Sequence, residues 1–253
     1  MPWRYVRYHH GILREALKHA VKWELVGRNV ADATEPPIKE DYEADSLNEQ
    51  QILDLLDVAK DTPLYIAILL ALSTGMRRGE VLGLRWQDID FKTFRIHIKQ
   101  TILPPLAKGE PVVVSTPKTK KSKRTVTLPH SIIPDIKKHK TEQGKERISH
   151  SDIYQNNDLV VCRPDGTPLN PGSFSHQFGN LLDSNGLPHV RFHDLRHTHA
   201  SRLLENGVDS KTISERLGHS DVGTTLKTYS HVSPKMRDKS AEVMDEILRK
   251  RLG

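Results

Sequence analysis

The chain has 253 residues and a net charge of +6, because 38 Lys and Arg residues outnumber 32 Asp and Glu residues. It is long enough to bury a core, and its modest positive charge is compatible with a nucleic-acid partner. The single cysteine, Cys162, excludes an internal disulfide and is typical of a reducing, cytoplasmic setting. Since no signal-peptide core or apolar run of membrane-spanning length is present, no membrane partner is expected.

The N-terminal third is predicted to be helical. Residues 3–26 carry apolar side chains at helical spacing among basic ones, which indicates one amphipathic helix that needs a partner surface. Residues 33–45 contain a Pro-Pro pair and acidic side chains, which predicts a linker. Residues 46–60 open with S-L-N-E, a capping-box pattern, and predict a helix. A buried helix is predicted at residues 63–74, with Gly75 as its C-cap.

Strand periodicity follows. Alternating or β-branched runs at residues 94–98, 112–114 and 125–128 predict a small antiparallel sheet. The segment P-K-T-K-K-S-K-R between the last two strands is predicted to be a cationic hairpin tip that suits a DNA groove or backbone. The alternative is a solvated edge strand protected by lysines. The cationic residues of this tip are Lys118, Lys120, Lys121, Lys123 and Arg124.

The remaining chain is predicted to be mainly helical. Helices are expected at residues 131–145, 171–182 and 234–252, with a loop at 146–157 and a short strand at 158–162. The last helix is amphipathic and is expected to dock on its own domain or on a neighbour. The predicted fold class is therefore mainly α with a small antiparallel β-sheet, an α+β fold.

Groups able to act on a phosphodiester are concentrated in residues 191–229. The guanidinium of Arg196 can bind a phosphate bidentately, and the imidazoles of His193 and His219 can transfer protons or donate hydrogen bonds. The phenol of Tyr229 can act as a covalent nucleophile. No cluster of carboxylates that would hold Mg²⁺ accompanies them in this stretch. The pattern favours metal-free attack by tyrosine on a phosphodiester.

Taken together, the motifs resemble the tyrosine recombinases, also called phage-type integrases. The resemblance rests on T-G-M-R-R-G-E, a hairpin lysine, H-D-L-R-H, L-G-H and a tyrosine ten residues further on, and it covers about residues 40–253. It implies the catalytic-domain fold of that family over residues 39–253. Residues 1–38 would be a truncated C-terminal part of the family's helical core-binding (SAM-like) domain. Weak and poorly specific DNA binding is therefore expected of this chain alone.

The resemblance implies a phosphate clamp and a general acid. Arg77 and Arg196 would clamp the scissile phosphate and stabilise its charge, and Glu80 would support them. Lys118 would be the general acid for the 5′-hydroxyl leaving group. The other cations of the predicted hairpin would bind DNA, and the first two of them are rivals of Lys118: Lys120, Lys121, Lys123 and Arg124.

The resemblance also implies the covalent step and the partners. His193 would assist proton transfer, His219 would hydrogen-bond the phosphate, and Tyr229 would form a 3′-phosphotyrosine link. Neither metal nor cofactor nor ATP is expected. The expected partners are double-stranded DNA with att-type sites and further copies of the chain, in a tetramer that exchanges the final helix. An accessory DNA-bending protein is a further expected partner.

Several alternatives stay open at this point. His193 and His197 stand four residues apart, as zinc ligands can, although Arg196 lies between them and no H-E-x-x-H is present. Together with His199 and His231, His197 is predicted to be structural or DNA-facing. The segment D-S-K-T-I-S-E-R-L-G-H-S-D-V is also typical of a helix-turn-helix. The alternative functions are a non-catalytic DNA-binding regulator with the same fold and a type IB topoisomerase-like activity.

Overall fold

The computed structural model describes residues 3–37, 46–107, 109–116 and 123–218. The chain divides into two compact units, residues 1–43 and residues 44–253. The predicted residues outside the described ranges are Lys118, Lys120, Lys121, His219, Tyr229, His231 and the helix at 234–252. None of the helices within the described ranges combines the length and apolarity needed to cross a membrane.

The described residues form helices and short strands. In chain order the helices are α1 (Trp3–Lys22), α2 (Glu49–Ala59), α3 (Tyr65–Thr74), α4 (Arg78–Leu82), α5 (Ile133–Ser149), α6 (Pro171–Ser184), α7 (Asp194–Glu205) and α8 (Ser210–Leu217). The strands are β1 (Ile89–Asp90), β2 (Arg95–Ile98), β3 (Thr101–Leu103), β4 (Val113–Ser115) and β5 (Arg124–Thr127). The predicted α+β class, mainly helical with small antiparallel sheets, is confirmed.

In the first unit, α1 packs on a short 3-10 helix, Val30–Ala33. His10 Nε2 lies 3.1 Å from the Ala31 carbonyl oxygen, which ties the two elements together. The helix ends at Lys22, four residues before its predicted end. Several of its apolar side chains stay exposed within this unit: Tyr5, Tyr8, Ile12 and Leu13.

α3 is the centre of the second unit. A helix that is apolar on every side has to be covered on every side, and α2, α4, α5 and α7 all contact it. It ends at Gly75, whose φ of +67° is the left-handed conformation that glycine adopts most easily. The predicted buried helix and its C-cap are both confirmed. The buried residues of this helix include Ile66, Ala67, Ile68, Leu69, Leu70 and Ala71.

The helix cap of α2 differs from the prediction by two residues. The S-L-N-E pattern predicted Ser46 as the N-cap, but the capping residue is Asn48. Asn48 Oδ1 accepts from the Gln51 N–H at 2.9 Å, and Gln51 Oε1 accepts from the Asn48 N–H at 2.8 Å. The reason is that Leu47 is buried in the core and its N–H donates to Thr198 Oγ1 at 3.1 Å. Leu47 is therefore fixed outside the helix.

The strands form two sheets instead of one. β1, β2 and β5 make a three-stranded antiparallel sheet, and β3 and β4 make a two-stranded ribbon. The lysine-rich segment was predicted to be the tip of a hairpin between the last two strands, and this prediction is wrong. β5 pairs with β2, where Ile96 and Val126 face the core together, whereas β4 pairs with β3. The lysine-rich segment therefore connects the ribbon to the larger sheet.

Two further predictions fail between α5 and α6. Residues 158–162 were predicted to be a strand but form only isolated bridges, between Arg85 and Leu159 and between Cys162 and Pro168. The buried amide of Gln143 holds this segment instead, since its Nε2 donates to the Leu159 carbonyl oxygen at 3.2 Å. α5 also continues into the predicted loop and ends at Ser149.

Candidate active site

The turn between α3 and α4 carries Arg77. Its N–H donates to Glu80 Oε2 at 2.8 Å, and its guanidinium Nη1 donates to Glu80 Oε1 at 2.9 Å. The Glu80 carboxylate is buried, whereas the Arg77 side chain is 38% exposed. The predicted supporting residue therefore orients Arg77 without covering it.

A second guanidinium shares the same carboxylate. Arg124 donates from Nη1 to Glu80 Oε1 at 3.0 Å and from Nη2 to Glu80 Oε2 at 2.9 Å. Burial would raise the pKa of Glu80, but the hydrogen bonds and charge of Arg124, with those of Arg77, hold this pKa below its ordinary value of 4.5. Arg124 was predicted to bind DNA. Its side chain is only 6% exposed, which argues against that contact.

Arg196 lies buried in α7 and joins two remote segments. Its Nη1 donates to the Gly75 carbonyl oxygen at 2.8 Å, and its Nη2 donates to the Leu217 carbonyl oxygen at 2.8 Å. Arg77 Nη2 donates to the Gly218 carbonyl oxygen at 3.3 Å. The two predicted clamp arginines are far apart in the sequence, and the structure brings both to the end of α8.

Three successive carbonyl groups at the end of α8 accept from three different arginines. In addition to the bonds at Leu217 and Gly218, the Arg216 carbonyl oxygen accepts from Arg124 Nε at 2.7 Å. The last carbonyls of a helix have no partner within the helix and lie at the negative end of its dipole, so cations stabilise them. His219, the predicted phosphate ligand, is the next residue in the sequence.

A partly buried contact between His199 and Arg216 lies beside this site and was not predicted from the sequence. His199 Nδ1 donates to the Leu72 carbonyl oxygen at 2.7 Å, and its Nε2 accepts from Arg216 Nε at 3.0 Å. Burial lowers the pKa of His199 to about 4, and the charge of Arg216 acts in the same direction. His199 also packs so closely on Gly75 that a Cβ at that glycine would collide with its ring. The sequence feature that could have identified Arg216 is its position three residues after Ile213, which lies on the buried face of α8.

A cavity of about 580 Å³ opens beside Arg77 and His193. The pKa of His193 is lowered to about 4, mainly by loss of solvation on the protein side, and the charges of His197 and Arg196 contribute in the same direction. The imidazole of His193 is therefore neutral near pH 7 and able to accept a proton. The polar side chains around the cavity also include Arg78, Ser175, His189 and Arg191.

The turn before α7 is a second feature that sequence analysis missed. The Arg191 N–H donates to Asp194 Oδ2 at 2.9 Å, and its guanidinium donates from Nε to Oδ2 at 3.0 Å and from Nη2 to Oδ1 at 2.7 Å. Asp194 is buried. The sequence signal is that R-F-H-D repeats the R-x-x-acid pattern of R-R-G-E. The turn places His193 at the N-cap of α7.

The geometry gives no support to the zinc alternative. His193 and His197 meet edge to face, with ring centroids 5.5 Å apart. A structural zinc ion takes four ligands and a catalytic one takes three from the protein. Within the described parts of the chain, no three His, Cys, Asp or Glu side chains are grouped so that they could hold a metal ion.

Comparison with known sequences identifies relatives. Residues 45–236 match the sequence profile described as the phage integrase family. Over 238 residues the chain is 32% identical to a tyrosine recombinase XerC-like protein of Caldanaerobacter subterraneus subsp. tengcongensis, covering 90% of this chain and 61% of that protein. Over 178 residues it is 33% identical to the ICEBs1 integrase of Bacillus subtilis, covering 70% of this chain and 47% of that protein. The chain thus spans less than two thirds of the length of these curated relatives.

Solved structures share the fold. The Tn1549 transposon integrase in complex with transposon right end DNA superposes with a TM-score of 0.80 at 19% identity, covering 96% of this chain and 80% of that one. XerA recombinase superposes with a TM-score of 0.59 at 23% identity, covering 84% of this chain and 70% of that one. At these identities the likeness concerns the fold alone.

Proposed function

The chain belongs to the phage integrase family, and we propose that it is a site-specific DNA recombinase that acts through a 3′-phosphotyrosine intermediate. One observation carries the proposal. Arg77 and Arg196 meet at the end of α8, and His193 lines the cavity beside Arg77. Two guanidiniums and a neutral imidazole are suited to a phosphodiester.

In the proposed site, the arginines hold the scissile phosphate. Arg77 keeps an exposed side chain on the cavity side, and Arg196 approaches it from α7. Negative charge builds up on the non-bridging phosphate oxygens during transfer, so preorganised donors stabilise the transition state more than the ground state. Loss of one such donor typically costs ~10²–10³ in rate. Glu80 supports Arg77 through two hydrogen bonds.

In the proposed covalent step, the phenol oxygen of Tyr229 attacks phosphorus and the bond from phosphorus to the 5′-oxygen breaks. The phenol proton passes to neutral His193, and Lys118 protonates the departing 5′-oxygen. His219 donates a hydrogen bond to a non-bridging oxygen. One phosphodiester is replaced by another, so rejoining is the reverse reaction with a new 5′-hydroxyl and needs no ATP. The scheme uses no metal ion and no cofactor.

The proposal extends to the partners and the domains. Lys120, Lys121 and Lys123 bind the backbone of an att-type duplex, and residues 1–38 are part of a core-binding domain. The chain acts in the cytoplasm as a tetramer that exchanges its C-terminal helix, with an accessory DNA-bending protein where the site requires one. DNA binding is supported by the solved structure of a lambda integrase dimer bound to a COC′ core site, because this chain shares the fold of that integrase.

The test is covalent capture on DNA. The protein is incubated with a pool of randomised, singly nicked duplexes, in which cleavage releases a short strand and blocks rejoining. Wild-type protein is expected to yield an SDS-resistant adduct whose duplexes share a weak sequence preference, in keeping with the weak binding expected of this chain alone. Tyr229→Phe is expected to yield none while still binding DNA. Tyr65→Phe is the matched control, because it loses only the hydrogen bond to Asp135 and keeps the adduct.

The other outcomes separate the alternatives. Binding of DNA without an adduct on any duplex would favour a non-catalytic regulator. An adduct that forms without sequence preference, together with relaxation of a supercoiled plasmid, would favour a type IB topoisomerase-like activity. An adduct that survives Tyr229→Phe would exclude the proposed nucleophile.

A further inference from the structure

Each of the three guanidinium nitrogens of Arg124 donates to an acceptor inside the protein. Its Nη1 and Nη2 bind the two oxygens of Glu80, and its Nε binds the Arg216 carbonyl oxygen. Its neighbour Lys123 is exposed. Arg124 occupies a β5 position on the same side as buried Val126, so the strand itself turns the guanidinium inward. Arg124 therefore acts through contacts inside the protein.

The two R-x-x-acid turns show what Arg124 does to Arg77. In the turn before α7, no second arginine is bonded to Asp194 among the described residues, and Arg191 closes on it with both Nε and Nη2. In the turn before α4, Arg124 takes the two-point position on Glu80, and Arg77 is left with a single side-chain contact to that carboxylate. A bidentate contact fixes a guanidinium fork against its carboxylate. Arg124 thus prevents Glu80 from capturing the fork of Arg77.

Arg124 also ties this turn to the end of α8. Its bond to the Arg216 carbonyl oxygen places it beside the carbonyls that receive Arg196 and Arg77. The two arginines of the proposed clamp and the end of α8 are consequently held in one hydrogen-bonded network that also contains Glu80. In the sequence, His219 directly follows Gly218, whose carbonyl oxygen belongs to that network.

We infer that Arg124 is a positioning residue that keeps Arg77 open toward the scissile phosphate and aligns it with the end of α8. The inference rests on the proposed function. It reassigns Arg124 from DNA binding to the support of catalysis, and it predicts a separation between cleavage and affinity. Lysine at this position keeps the charge that Glu80 needs but offers a point contact in place of a fork.

The first test compares Arg124→Lys with Lys123→Gln on a duplex recovered from the capture experiment. Arg124→Lys is expected to lower the single-turnover cleavage rate on the order of 10²-fold, as misplacement of a catalytic group by about 1 Å does. Its DNA dissociation constant and the salt dependence of that constant should match wild type. Lys123→Gln is expected to weaken binding and to reduce the slope of log K against log salt by about 0.9, the signature of one lost phosphate contact.

The second test observes Arg77 directly and needs no activity. The Nε–Hε resonance of Arg77, assigned by its disappearance in Arg77→Lys, should shift in Arg124→Lys, because Glu80 then recruits the guanidinium. The Arg191 resonance serves as the internal reference and should stay in place. The double variant Glu80→Gln, Arg124→Gln removes the buried charge pair as a unit and replaces Arg124→Lys if the latter does not fold. In that variant a neutral amide replaces the carboxylate that accepts from Arg77, and the Arg77 resonance should also shift.

Failure of the positioning role of Arg124 can be distinguished from failure of the proposed function. A wild-type cleavage rate in folded Arg124→Lys, an unmoved Arg77 resonance, or a reduced salt slope would each overturn the positioning role. If wild-type protein forms no adduct at all, the proposed function fails, and the resonance of Arg77 still decides whether Arg124 sets its orientation.

Discussion

The turns before α4 and α7 have the same local pattern and differ in what completes them. In each, an acidic side chain accepts from the N–H of the arginine three residues earlier. The turn of Arg191 is closed by its own two-point ion pair with Asp194. The turn of Arg77 is completed from elsewhere, by Arg124 on β5 and by the carbonyl oxygen that follows α8.

This difference separates two properties of each turn, namely the shape of its backbone and the contacts of its arginine side chain. The local R-x-x-acid pattern sets the shape of both turns, but remote partners decide how many side-chain donors of the arginine its own carboxylate binds. Arg191 donates from both Nε and Nη2 to the Asp194 carboxylate although its side chain is 53% exposed. Arg77 is less exposed and yet makes one side-chain bond to its carboxylate. Exposure alone is therefore a poor guide to how firmly an arginine is bound by its own carboxylate.

The largest expected effect comes from removing the shared carboxylate. Glu80→Gln leaves buried Arg124 without its counter-charge, and breaking a buried pair in this way typically costs about 3–5 kcal/mol of unfolding free energy. Asp194→Asn should cost less, because water can solvate the half-exposed guanidinium of Arg191. Urea unfolding at neutral pH measures both. Equal losses of unfolding free energy in the two variants would show that the sharing of Glu80 by two arginines adds nothing to stability.

The next effect concerns the chemistry. Arg77→Lys is expected to lower the single-turnover cleavage rate by ~10²–10³, since one preorganised fork is replaced by a point charge. Arg191→Lys should change the rate far less, because its guanidinium is committed to Asp194. The measurement is adduct formation at saturating DNA. A loss in Arg191→Lys as large as that in Arg77→Lys would mean that both turns face the phosphate.

The parts of the site that the sequence predicts are local. The apolar run of α3, the glycine that ends it and Arg77 with Glu80 one turn later all lie within a short segment whose periodicity and caps can be recognised. The fold class and the family resemblance follow from similar segments. The side chains Lys118, His219 and Tyr229 were also identified by motif, and their roles remain predictions.

The parts that the sequence did not predict depend on pairing between remote segments. Nothing in K-K-S-K-R distinguishes Arg124 from Lys123 until β5 is paired with β2 and its inward side is known. The same holds for the strand pairing that turned the predicted hairpin into a connection between sheets. The alternation around buried Val126 was the one available signal, and it points Arg124 inward.

A third effect tests the contact that joins α7 to the turn of Arg77, namely His199 against Gly75. The pKa of His199 is about 4 in the folded state and 6.5 in its ordinary environment, so between these pH values the unfolded chain binds more protons. Stability should therefore fall as pH falls from about 6.5 to about 4, by on the order of 3 kcal/mol from this group. Burial is the main cause, and the charges of Arg216 and Arg196 add to it.

The matched variant is His199→Asn, which can still donate to the Leu72 carbonyl oxygen and does not titrate. The unfolding free energy of wild type minus that of the variant, measured by urea at several pH values, should decline steadily with acid. A difference that stays flat across this window would show that His199 is not held neutral beside Gly75.

The smallest expected effect tests how tightly remote elements enclose the turn of Arg77. A Cβ at Gly79 would collide with the Thr101 hydroxyl and with the Ile102 carbonyl oxygen of β3, and a backbone carbonyl cannot rotate aside. Gly79→Ala should therefore cost about 1–3 kcal/mol as overpacking does. The corresponding position in the other turn is His193, which carries a full side chain at the surface.

Gly144→Ala in α5 is the control, because nothing lies within 4 Å of a Cβ there. A free helical glycine gains about 0.4–1 kcal/mol on replacement by alanine, since the unfolded chain loses entropy. Both glycines lie in helices, so the sign of the change isolates the effect of β3. Stabilisation by Gly79→Ala would mean that the ribbon yields easily, and the turn of Arg77 would then be as self-contained as the turn of Arg191.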